Sequence, residues 1–123
     1  MENQNMNMMK SLRDRAKEFD ARLPLMEGRE KGETEKIMGQ VSTLNDYGFL
    51  PNEAGEMYVV FTILERPNQF FFGGSVLTAR MVELDQDGYG EAIRTEGLPI
   101  LLTQTKSRKS GRSYVNVQFY PEG

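Results

Sequence analysis

Apolar residues change their spacing along this chain, and the change divides it in two. Met6, Met9, Leu12, Ala16, Phe19 and Leu23 recur at steps of three and four, with Lys, Arg, Asp and Glu filling the positions between them. That is a single apolar stripe on a helix whose other face meets water. Pro24 ends the helix near Leu23. "EGREKGETEK" (27–36) has two glycines, dense mixed charge and no apolar residue, which predicts a mobile linker. Residues 1–36 therefore read as an N-terminal amphipathic helix and charged linker, and 37–123 as the folded domain.

From Ile37 the period becomes two, the signature of strands with one buried face. "IMGQVSTLNDYGFL" (37–50) predicts a first strand, with Gly39 marking a bulge or bend. "PNEAGE" turns the chain into "MYVVFTILE" (57–65), rich in β-branched and aromatic residues. "RPN" turns it again into "QFFF" (69–72). Gly73 and Gly74 close that strand, and Ser75 is placed to cap a helix through "VLTARMVEL", on which Leu77, Met81 and Leu84 share a face. "DQDGYG" breaks the helix, and "EAIRTE" adds a short turn. "PILLTQT" (99–105) and "SYVNVQFY" (113–120) are the fourth and fifth strands. The order strand, strand, strand, helix, strand, strand is the connectivity of the OB-fold, a five-stranded barrel with a helix between its third and fourth strands. The expected class is mainly β: an OB-fold-like barrel plus the N-terminal helix.

Charge sharpens the picture. The 123 residues carry a net charge of −3, which by itself argues against a polyanionic partner, but distribution matters more than sum. Residues 1–36 balance eight Lys/Arg against eight Asp/Glu. Of the seven Lys/Arg in 37–123, four (Lys106, Arg108, Lys109 and Arg112) fall in the loop between the last two strands, and no acid occurs between Gly97 and Pro121. This loop is one of the two that OB-folds commonly turn toward oligonucleotides. Cysteine and histidine are both absent, which removes disulfides, thiolate metal sites, the usual proton shuttle and the commonest metal ligand. No catalytic carboxylate pair stands out. "DQDGYGE" lacks the twelve-residue spacing of a calcium loop, and "GGS" does not match a phosphate loop. The N-terminus lacks a secretory pattern and no apolar run approaches a membrane span, so a cytoplasmic protein is expected.

The candidate binding residues follow from alternation. Lys106, Arg108, Lys109 and Arg112 can hold phosphates, and Gly111, Ser107 and Ser110 let a backbone approach closely. Val115, Val117 and Phe119 read as core, leaving Tyr114, Asn116, Gln118 and Tyr120 on the open face, where the Tyr114 ring can stack on a base. On the third strand Phe70 and Phe72 share one side and Phe71 the other. Phe70 and Phe72 are the expected stacking platform, with Tyr58 and Thr62 beside them on the second strand. Tyr47 and Phe49 flank the first turn, as ligand contacts or as packing.

With "FFFGGSVLT" leading into a helix and "KSRKSGRSYVNVQF" near the end, residues 37–121 resemble the small OB-fold single-stranded-DNA-binding proteins of Gram-positive bacteria, their phages and mobile elements. The resemblance implies non-catalytic, cofactor-free binding of single-stranded DNA, with RNA left open, in replication, recombination or transfer. It also allows homo-oligomers. Bacterial members of the wider class often end in a long acidic tail that recruits partners. This sequence ends in "YPEG", so helix 6–23 is the better candidate for recruiting a protein partner. The alternative is a protein-interaction module of a phage, conjugation or replication assembly.

Overall fold

The computed structural model describes residues 23–120. The amphipathic helix expected over 6–23 lies, except for Leu23, outside them. Six strands form one mixed sheet: β1 (Glu30–Lys31), β2 (Val41–Pro51), β3 (Met57–Ile63), β4 (Gln69–Phe72), β5 (Leu98–Lys106) and β6 (Ser113–Phe119). Their order is β1-β4-β3-β2-β5-β6, with only β1 and β4 parallel. Helix α1 (Ser75–Gln86) follows β4, and a second helix, α2 (Gly90–Glu96), forms where only a turn was expected. Gly74 caps α1 and Ser75 is its first residue, with no side chain closing the helix end. No helix among the described residues is long and apolar enough to cross a membrane.

Alternation predicts the inner face well. Val59, Phe61 and Ile63 of β3 are almost completely buried. They join Phe71, Leu77 and Met81 in one core between the sheet and the two helices. On β6, Val117 belongs to that core while Val115 and Phe119 pack against it. β2 gives the sheet its curl. Its first residues pair with β5 (Val41↔Leu101 through Leu44↔Leu98) and its later ones with β3 (Leu44↔Ile63 through Pro51↔Met57). The register shifts between Leu44 and Asp46, leaving Asn45 as an extra residue. A bulge bends its strand and adds twist. The Asn45 side-chain Oδ1 accepts from the Thr62 hydroxyl at 2.6 Å, and Thr62 is buried rather than on an open face. Gly39 is not the bulge. It sits at φ 76° in the turn entering β2, and its N–H donates to the Leu102 carbonyl at 2.8 Å.

The sheet does not close. β6 pairs with β5 alone, and β4 spends its second edge on β1 (Glu30↔Gln69, Lys31↔Phe70). The expected five-stranded OB-fold-like barrel is thereby corrected to an open six-stranded sheet. The expected mobile linker is corrected with it. Gly32 N–H donates to the Phe70 carbonyl at 2.8 Å, the Thr34 hydroxyl donates to the Phe72 carbonyl at 3.1 Å, and Ile37 is buried in the core. Strand pairing satisfies backbone groups whatever the side chains are, so a charged segment can still be ordered.

A polar cluster fastens both helices to β2. The Tyr47 hydroxyl donates to Asp85 of α1 at 2.7 Å. Arg94 of α2 donates to Asp46 at 2.9 Å and to the Tyr47 carbonyl at 3.1 Å, with its guanidinium 4.8 Å from the Tyr47 ring centre. Tyr47 therefore packs and anchors rather than flanking a ligand. Burial, reinforced by the bond to the Asp85 carboxylate, pushes its phenol up to about 12, against about 10 in an unfolded chain. A raised pKa gives stability that is complete below the unfolded value and is lost as pH climbs through the folded one. Urea unfolding should show wild-type stability falling between about pH 10 and 12, and Tyr47→Phe should remove that part of the fall.

Candidate nucleic-acid interface

β5 and β6 run as a regular ladder from Ile100↔Phe119 to Lys106↔Ser113, which carries the loop 107–112 out as the tip of a hairpin. Its own bonds hold the tip. Ser107 N–H donates to the Arg112 carbonyl at 2.8 Å and Gly111 N–H to the Ser107 carbonyl at 2.9 Å. The Ser110 hydroxyl oxygen accepts from Arg112 N–H at 3.2 Å. Gly111 has φ 69°, a backbone conformation that costs a side-chain-bearing residue energy. The serines thus set the turn's shape, and the cations are left free of it. Lys106, Arg108, Lys109 and Arg112 are all exposed. The ion pairs among the described residues are Lys36–Glu33, Arg80–Glu83 and Arg94–Asp46, none of which involves the hairpin. Tyr114, half-buried, stands two residues from Arg112 on the outer face of β6.

The outer face of β3 and β4 is arranged differently from expectation. Tyr58 and Phe72 meet edge to face at 5.3 Å between ring centres, and both are half-buried. Phe70 is 4% exposed and is withdrawn as a stacking residue. Chain entering the fold at residues 23–26 crosses this face as a strap. Leu25 and Met26, in a 3-10 turn (Pro24–Met26), cover Leu50, Val60 and Phe70. Leu23 lies on Gly48 of β2, where a Cβ would fall 2.7 Å from its Cδ1. Arg29 locks the strap by donating to the Pro67 carbonyl at 2.8 Å and to the Leu25 carbonyl at 2.6 Å. Phe49, half-buried, packs edge to face on Tyr47 at 5.9 Å.

Of the candidate residues, Tyr58 and Phe72 come together. Phe72 of β4 and Val115 of β6 line the same open cleft of about 530 Å³, so β4 and β6 face each other across the unclosed seam, while Tyr58, Tyr114 and the four hairpin cations lie outside its lining. Phe70 stays beneath the strap. The structure also adds a residue that the pattern placed in a linker. Lys31 lies on the rim of the cleft with its ammonium 5.1 Å from the Phe72 ring centre. A two-residue strand with no apolar member gives no periodic signal, so nothing in the sequence marked it. Glu33 and Glu35 line the same cleft, which sets its floor apart from the acid-free hairpin.

The chain matches no protein-family model, no curated protein and no solved structure.

Proposed function

We propose that this protein binds single-stranded nucleic acid, DNA in preference to RNA, without catalysis, in a cytoplasmic replication, recombination or mobile-element process. The observation that carries the reading is the hairpin. Four exposed cations stand together, free of acidic partners among the described residues, on the longest acid-free stretch of an acidic domain. Such a cluster attracts phosphates and releases their counterions. Tyr114 lies at its root for a base to stack upon, and Val115, next to it on β6, shares the seam cleft with Phe72 and Lys31. Each stacked base is worth on the order of 1–3 kcal/mol. The ladder β4-β3-β2-β5-β6, with a helix between its third and fourth strands in chain order, supports an OB-like architecture opened at the seam. A single unpaired strand presents bases and phosphates to such a groove together, whereas a duplex hides its bases.

Fluorescence titration with a labelled pyrimidine oligonucleotide, free and annealed to its complement, tests this reading. The free strand should bind at least about 10-fold more tightly, the equivalent of one stacked base. Equal affinity for the two forms, or no binding of the free strand in low salt, would overturn it.

A further inference from the structure

Among the described residues β6 ends the sheet, and no strand of them pairs with its outer edge. The ladder fixes which groups point outward. Tyr120 N–H donates to the Pro99 carbonyl at 3.0 Å and Ser107 N–H to the Arg112 carbonyl at 2.8 Å. These bonds bracket the paired stretch from Ile100↔Phe119 to Lys106↔Ser113. Bonded and non-bonded pairs alternate in an antiparallel ladder, so Tyr114, Asn116 and Gln118 bond to β5. Val115, Val117 and Phe119 turn their N–H and C=O groups outward. Among the described residues, one of those outward groups finds a partner: Val117 N–H donates to the Asn116 side-chain oxygen at 2.8 Å. Natural edge strands are commonly blunted by charge, proline or a bulge. "SYVNVQFY" (113–120) has no charged residue, no proline and no glycine.

The two ends of this strand differ in charge. The Ser113 end carries the cationic hairpin. At the other end, Phe119 and Tyr120 share a largely apolar cavity of about 200 Å³ with Leu84, Tyr89 and Glu96 of the helical layer. Arg80 of α1 sits 5.4 Å from the Phe119 ring centre. The stretch 83–96 there bears Glu83, Asp87, Glu91 and Glu96, all exposed.

We propose that β6 pairs antiparallel with β6 of a second copy of this chain, about a two-fold axis at Val117, joining two sheets into one. In that register the outward groups of Val115, Val117 and Phe119 exchange backbone hydrogen bonds with Phe119, Val117 and Val115 of the second copy. Asn116 gives up its bond to Val117 N–H and meets Gln118 of the second copy, and Tyr114 meets Tyr120. Polar thus faces polar and aromatic faces aromatic, the kind of cross-strand pair that stabilises sheets. Charge selects the direction. Antiparallel pairing lays each cationic hairpin beside the acidic helical end of the other copy, whereas parallel pairing would set two cationic hairpins side by side. The inference does not depend on nucleic-acid binding, although the edge it uses borders the seam, where Val115 lines the cleft with Phe72 and Lys31.

Sedimentation equilibrium of the full chain in low salt tests it. The mass should rise with concentration from 14.1 kDa toward twice that value. Asn116→Lys with Gln118→Lys sets two like-charge pairs across the axis and should hold the chain at 14.1 kDa, with an unchanged circular dichroism spectrum. Asn116→Lys with Gln118→Glu sets opposite charges there and should restore the dimer. A wild-type chain that stays monomeric up to roughly millimolar concentration, a dimer that both lysines leave intact, or a lysine–glutamate variant that fails to associate would each overturn the proposal.

Discussion

Phe61→Ala should lower the free energy of unfolding by about 3–5 kcal/mol. Phe61 is 0% exposed and sits at the middle of β3, opposite Tyr47 of β2 on one side and Phe71 of β4 on the other. Its ring stacks on Phe71 at 5.6 Å with planes 27° apart. Alanine removes the transfer energy of the ring and leaves a cavity that three paired strands cannot collapse. A domain of this size has about 5–15 kcal/mol in total, so the variant should be partly unfolded at ordinary temperature. Urea unfolding reads the effect as a fall in midpoint at constant slope. Tyr58→Ala, on the half-buried outer face of the same strand, should cost much less. A Phe61→Ala loss below about 1 kcal/mol, typical of a surface change, would contradict the core described here.

Replacing Lys106, Arg108, Lys109 and Arg112 together with alanine should reduce affinity for single-stranded DNA at least about 100-fold in 50 mM salt. Relative to 1 M salt, counterion release gives each phosphate contact on a single strand a factor of roughly 8 at that concentration. Four contacts acting fully would reach about 4,000-fold, and partial contacts bring the expectation down. The same variant should unfold as the wild type does. The four side chains are exposed and take no part in the ion pairs found, and the turn is held by backbone and serine bonds that alanine leaves in place. Loss of binding together with loss of the fold would point to a structural role for the cations.

What could be read from the sequence was what local pattern determines. Val59, Phe61 and Ile63, and Val115, Val117 and Phe119, announce their buried faces by alternation. The hairpin announces itself by four cations in a Gly/Ser turn between two acid-free strands. What escaped depends on partners distant in the chain. Phe70 and Phe72 do share a side, but which one is covered depends on where Leu25 and Met26 cross the sheet. "PLM" carries too few residues to declare such a crossing. Closure of the barrel depends on which strand takes the second edge of β4. Glu30 and Lys31 take it through backbone pairing, which leaves no mark on hydropathy. Asn45, the bulge, follows from β2 exchanging β5 for β3 along its length, again a matter of pairing rather than composition.

The salt dependence of single-strand affinity tests the central claim most directly. Four hairpin cations on four phosphates predict a slope of log affinity against log salt near about −3, or roughly a 50-fold fall between 50 and 200 mM. The four-alanine variant should have a slope close to zero. A wild-type slope near zero, or a steep slope that survives removal of all four cations, would contradict the assignment of this hairpin as the phosphate clamp.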